Sequence, residues 1–232
     1  MATSFTVLPS FNPQRITPRK VDFQFDPQIP RFWFRNSSIM THLLNGTNLF
    51  LSAFENYMVQ TTQSQLRQLG DPGLRSQAGG LIGQEINHSQ AHQQYNEILR
   101  QQHYRFETYL KLVDWFFGQL MPRCDLQLQL AAIAGFEHLT ASLSEITLHY
   151  NTLAAVYPTM KALWEWHAAE ELEHKSVAFD VFQSISGSYW RRVVGGILGI
   201  AIVIGFMTTG MFLLAVQDPN FFSFKTLSDL NK

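Results

Sequence analysis

Two segments of the chain share the spacing Glu-x-x-His: Glu85 with His88, and Glu171 with His174. Residues three apart lie on one face of a helix, so each unit aims a carboxylate and an imidazole at a single spot. Two further glutamates stand in apolar runs, Glu55 in Ser52-Ala53-Phe54-Glu55 and Glu137 in Ala134-Gly135-Phe136-Glu137. A carboxylate buried without a partner is costly, and a pair of divalent cations would partner all of these groups at once. One Glu from each of two helices, with one Glu-x-x-His from each of two others, is the ligand set of dinuclear carboxylate bundles. His167 stands four before Glu171 on the same helical stripe and is expected as a seventh ligand. His92, four after His88, and Glu170 are expected behind the ligands or against a substrate. His138 is adjacent to Glu137 and must face another way, so it reads as an inter-helix histidine or, at most, an outer partner.

Ligands at these positions require helices, and the chain supplies the signals for them. Apolar residues from Leu43 to Met58 recur at three-to-four-residue steps, predicting a first helix from about Ser37 to Thr62. Asp71-Pro72 is a capping residue followed by proline at the first helical position, and opens a second helix reaching about Gln101. The aromatic stretch Tyr104–Leu120 suits a shorter connecting helix. Asp125 can cap a third long helix, expected to run to about Tyr157, and Pro158 opens a fourth, expected to continue to Ile185 before Ser186-Gly187-Ser188. Short loops within each pair and a longer crossover between the pairs predict an all-α fold of the ferritin-like four-helix-bundle kind.

Outside the bundle, Pro9, Pro13, Pro18, Pro27 and Pro30 mark residues 1–36 as an extended N-terminal arm lying over the helices. Val193–Val216 carries no charge, follows Arg191-Arg192, and is long enough to span a bilayer. The expected organisation is therefore an arm (1–36), a dinuclear-metal bundle (37–188), a hydrophobic anchor helix (189–217) and a short tail (218–232). The paired arginines place the bundle on the cytoplasmic side of the inner membrane. Gly195 and Gly199 form a G-x-x-x-G pair that would let another helix approach closely.

Composition agrees with these expectations. The chain has 232 residues, enough for a single domain with a sizeable core, and 17 basic against 18 acidic residues give a formal charge of -1. With no basic surplus, nucleic acid is not an expected partner. Charged residues make up 15% of the chain, below the roughly 25% usual in soluble domains, while aromatics reach 13%. Much of the sequence is thus meant to be out of water. Cys124 is the only cysteine and can form no internal disulfide.

Beyond single residues, longer motifs carry a resemblance. Ile29-Pro30-Arg31-Phe32-Trp33-Phe34, Gly83-Gln84-Glu85 with His88 and His92, Phe136-Glu137-His138-Leu139-Thr140-Ala141, Trp164-Glu165-Trp166-His167-Ala168-Ala169-Glu170-Glu171, Glu173-His174-Lys175 and Ala178-Phe179-Asp180 follow in order. They resemble the bacterial family of predicted metal-dependent hydrolases over about residues 15 to 192. The set His167, Glu171 and His174 is also similar to the His-x-x-x-Glu-x-x-His of the fourth helix in di-iron arylamine N-oxygenases.

These resemblances imply different reactions with the same ligands. The leading expectation is two metal ions, iron before manganese or zinc, activating oxygen to oxidise a small apolar or aromatic substrate. Dioxygen and an external electron donor would then be partners, since the chain has no Rossmann-type glycine motif for a nucleotide of its own. A dinuclear hydrolase polarising a bridging water is the alternative, and a non-catalytic metal-binding protein the third. No catalytic residue separates from the ligands at this level, and a homodimer is allowed.

Overall fold

The computed structural model describes residues 16–218, so the proline-rich start of the arm (1–15) and the tail beyond Asp218 lie outside it. Helices dominate: α1 (Ser38–Gln65), α2 (Pro72–Gln101), α3 (Glu107–Trp115), α4 (Leu126–His149), α5 (Pro158–His174), α6 (Val177–Ile185) and α7 (Tyr189–Ala215). Among the described residues there is no strand beyond a single bridge between Phe34 and Val156. The starts follow the sequence signals. Ser37, Asp71 and Asp125 each accept a hydrogen bond from a backbone N–H of the first turn of α1, α2 and α4. Pro72 and Pro158 fill first-turn positions where no N–H is needed.

Two ends differ from expectation. The third long helix stops at His149, not near Tyr157, because Asn151 adopts a left-handed φ of 49° and the Thr152 N–H bonds back to the Thr147 carbonyl at 3.2 Å. That is a left-handed helix stop supplied by asparagine where glycine is commoner. The fourth helix does not run unbroken to Ile185. It loosens at Lys175 and Ser176, directly after His174, and resumes as α6. The connection after α3 continues through a π turn, Phe116–Leu120, and a 3₁₀ turn, Met121–Arg123.

α1 packs on α2, and α4 on α5 and α6, while α2 also meets α5 and α6. The interior between them is aromatic: Phe54 lies 3.8 Å from Phe136, centroid to centroid, and Phe117 and Tyr57 complete the group. Residues 16–26 carry no regular element, but the expected extended arm gives way to turns at 27–29 and 31–36, where Arg35 and Asn36 take left-handed φ values, and these turns insert Ile29, Trp33 and Phe34 into the core. Trp33 Nε1 donates to Tyr95 Oη at 2.7 Å.

α7 lies along the bundle, its N-terminal half on α4 and its C-terminal half on α1. A Cβ on Gly199 would stand 2.2 Å from the Ala132 carbonyl oxygen, and one on Gly46 2.3 Å from the Met211 backbone nitrogen. The helix that Gly195 and Gly199 admit is thus α4 of the same chain. Beyond its C-terminal end, buried Asp218 receives Arg31 at 2.6 Å, Tyr104 Oη at 3.1 Å and the His42 imidazole. Burial works to raise the Asp218 pKa, but His42 and Arg31 outweigh it and hold it below the ordinary aspartate value. A depressed carboxylate pKa stabilises the fold at neutral pH and ceases to do so as pH falls through it. Asp218→Asn is expected to cost about 2 kcal/mol at pH 7, with the difference from wild type closing below about pH 4. Thermal denaturation across pH checks this.

Candidate metal centre

Four of the helices bring the residues singled out in the sequence together in the interior. α1 contributes Glu55, α2 contributes Glu85, His88 and His92, α4 contributes Glu137, and α5 contributes His167, Glu170, Glu171 and His174. All are buried, which sets aside the reading of these residues as surface pairs. Their donor atoms form two groups, each compact enough to surround one ion: Glu85, His88, Glu171 and His174, and beside it Glu55, His92 and His167. His167 links the two, with Nε2 3.2 Å from Glu171 Oε1 and Nδ1 3.1 Å from His92 Nε2. His92, expected behind the ligands, falls in the second of these groups. Glu137, expected as a ligand, holds His174 Nδ1 at 2.7 Å through one oxygen. His138 is exposed and lines a groove between α4 and α7, away from this cluster.

Several of these atoms converge without hydrogen bonds. Glu85 Oε1 lies 3.1 Å from His174 Nε2 and 3.4 Å from His88 Nδ1, yet none of the three has a hydrogen-bond partner among the described residues. Both oxygens of Glu55 and Oε1 of Glu137 are likewise unpartnered. Buried polar atoms are nearly always satisfied, so a cluster of orphans facing one another is what a bound cation would resolve. The donors are carboxylate oxygens and imidazole nitrogens, a set suited to iron, manganese or zinc. Cys124 lies elsewhere, on the loop before α4.

Without cations the charges sort themselves. Burial pushes Glu55 well above the ordinary carboxylate range, with Glu85 adding repulsion, and burial together with Glu171 pushes Glu137 up to about 8. For Glu85 and Glu171 burial acts the same way but is outweighed, by His88 and His174 in the first case and by His174 and His167 in the second, so both fall. Burial would lower His88, yet Glu85 and Glu170 raise it to about 10. His174 is raised likewise, against burial, by Glu137 and Glu171. Burial lowers His92 and His167, and neighbouring imidazoles lower them further. Cations entering this cluster therefore displace protons.

A surrounding layer orients the donors. Glu170 accepts from His88 Nε2 at 3.1 Å, turning Nδ1 toward Glu85, and is itself held by Arg19 of the arm at 3.1 Å. Asn48 Oδ1 meets His92 Nδ1 at 2.7 Å and leaves Nε2 facing Glu55. Thr140 Oγ1 donates to Glu171 Oε2. The ring of Trp166 stands edge-on to His88 at 4.7 Å. Arg19, Asn48 and Thr140 were not singled out by spacing, since each reaches the cluster from a different element. Removing such a partner usually costs about 10–100-fold in metal affinity. Thr140→Val is expected to weaken metal binding in that range with unchanged helix content, measured by competition with a chelator of known affinity.

The sequence pattern of the family described as predicted metal-dependent hydrolase matches residues 17–232, and the chain belongs to that family. The match takes in the arm from residue 17 and runs past residue 192 through α7. No curated protein and no solved structure matches the chain.

Proposed function

We propose that this member of the predicted metal-dependent hydrolase family is a dinuclear metalloenzyme that activates dioxygen to oxidise a small apolar or aromatic substrate. The observation that carries the metal reading is the buried convergence of carboxylate and imidazole atoms without hydrogen-bond partners. One cation would be held by Glu85, His88, Glu171 and His174, the second by Glu55, His92 and His167, with Glu137 Oε1 free to join. When bound, a pair of redox-active metals supplies electrons to dioxygen, whereas redox-inert ones lower the pKa of a bound water.

What the chain itself does favours the first chemistry. Its donors are sealed from solvent at 0–6% exposure, a setting open to a small apolar gas and poor in water. Trp166 and Trp164 pack against His88 and His92 and give the cluster an aromatic wall, and the side-chain N–H groups of both tryptophans are without partners among the described residues. Glu170 fixes the His88 imidazole so that Nδ1 is presented, and Glu137 fixes His174 so that Nε2 is presented. Electrons would come from an external donor. α7 is long and apolar enough to cross a membrane, and we place the bundle at a membrane on its cytoplasmic side, the Arg191-Arg192 side.

Hydrolysis is the second reading, favoured by the description of the family. Elemental analysis of freshly purified protein, followed by anaerobic ferrous loading and an oxygen electrode, separates the two. Two irons per chain with reductant-dependent oxygen uptake is the expected result. Zinc or manganese with no oxygen uptake returns the lead to hydrolysis, and metal-free protein that takes up none removes both.

A further inference from the structure

Both ends of α7 are tied to one side of the same body. At its start Arg191 bonds to Gln127 and lies 3.5 Å from Asp125, just ahead of and within α4. Just past its end, Gln217 bonds to the Arg105 backbone at 2.8 Å, and Asp218 is locked to Arg31, His42 and Tyr104. At about 1.5 Å per residue a helix of this length covers about 40 Å, more than the roughly 30 Å hydrocarbon core of a bilayer. Standing upright across a membrane, it would draw α1, α4 and the Asp218 cluster through the bilayer with it.

The helix is also two-faced. Gly195, Gly199, Val203, Gly210 and Leu214 are buried against the bundle, whereas Trp190, Val194, Ile197, Ile204 and Phe212 are exposed on the opposite stripe, Ile197 at 63% and Phe212 at 58%. Only 22% of its most apolar stretch is buried, so it is not a core helix. The exposed Thr208 hydroxyl turns back to donate to the Ile204 carbonyl at 2.6 Å, a local bond that lowers the cost of placing it in hydrocarbon. Trp190, Arg191 and Arg192 gather at the N-terminal end. Beside them a groove of about 630 Å³ between α4 and α7 combines apolar Ala131, Phe179 and Ile200 with exposed Lys175 and Arg192, and with Glu145 as its acidic member. Tryptophan, arginine and lysine bordering an uncharged apolar stripe match the interface of an anionic bilayer.

We propose that α7 lies in the plane of an anionic phospholipid bilayer, its outer stripe among the acyl chains and Arg192 and Lys175 at the level of the phosphates. The inference rests on the membrane placement above and replaces a spanning anchor with a flat one. The bundle then rides on one leaflet.

The test uses metal-loaded full-length protein in a Cys124→Ser background, bound to phosphatidylglycerol–phosphatidylcholine vesicles. Nitroxides are attached at Trp190→Cys, Ile197→Cys, Ile204→Cys and Phe212→Cys, and depth is read by oxygen and nickel accessibility. Depths agreeing to within about 5 Å are expected for a flat helix buried about 5–10 Å deep. A separation near 21 Å between positions 190 and 204, the axial rise over that interval, would overturn the proposal in favour of a spanning anchor. Failure of the unlabelled protein to bind vesicles, with a dimer formed through this face, would overturn both the proposal and the membrane placement. Ile197→Glu combined with Phe212→Glu is expected to weaken vesicle co-sedimentation on the order of a hundredfold while metal content stays as in wild type. Undiminished binding by that variant would also refute it.

Discussion

Glu171→Ala, purified under the conditions that give two metals per chain in the wild type, is expected to retain less than one, with an unchanged helical spectrum. Glu171 sits at the junction of the two donor groups: one oxygen faces His167 at 3.2 Å and His88 at 4.0 Å, and the other accepts from Thr140. Removing it takes a carboxylate from the first cation position and leaves His167, a donor of the second, without its neighbour. The loss in affinity should exceed the roughly hundredfold upper range for outer partners. Glu85→Ala should behave alike, because Glu85 Oε1 stands between His88 and His174. His138→Ala is the internal control, since that side chain is exposed in the groove, and it should keep both metals. Elemental analysis after dialysis against a weak chelator, with circular dichroism on the same samples, reads all three. Two tightly held metals in either glutamate variant would refute the ligand assignment.

The second large effect is expected at the seams of α7. Gly46→Val and Gly199→Val each push a branched side chain into backbone, at Met211 in one case and Ala132 in the other, and backbone cannot swing aside as a long side chain can. Overpacking of this kind costs about 3 kcal/mol, equivalent to a fall of about 6–12 °C in melting temperature for a chain of this size. Gly205→Ala meets nothing within 4 Å and should leave the melting temperature unchanged or slightly higher, because alanine orders a helix at lower entropic cost. Differential scanning measurements in one detergent compare the three. Equal melting temperatures would mean that α7 does not pack on α1 and α4 as described.

The donors were legible because helical spacing is local. Glu85 with His88, and His167 with Glu171 and His174, fall on one stripe whatever the rest of the chain does. Their burial was implied by Phe54 and Phe136 beside them. Which atoms meet across helices was not legible. That His92 joins Glu55 while Glu137 turns to His174 depends on how α1, α2, α4 and α5 are rotated against one another, and no local spacing encodes those rotations. Arg19 reaches Glu170 from far away in sequence, so nothing near either residue announces the pair. Helix starts were read well, from Asp71-Pro72, Asp125 and Pro158, because caps are short-range chemistry. The end of α4 was missed because Asn151 stops a helix only by taking a left-handed conformation, which asparagine accepts without requiring it. Val193–Val216 shows the same limit. Its composition gave the apolar character, but the glycines that dock it on α4 looked the same as glycines awaiting a second chain.

The Asp218 cluster also sets an order of events. Every donor of the centre has been synthesised by His174, yet Arg31, His42 and Tyr104 wait for a partner that follows α7. Until then the glycine and alanine seams of α1 and α4 face outward, uncovered. The nascent chain thus carries all the candidate donors in an unlatched body, because its latch lies beyond α7. Contacts that join positions so distant form slowly, which leaves an interval in which the candidate donors are all present and the fold is not yet latched.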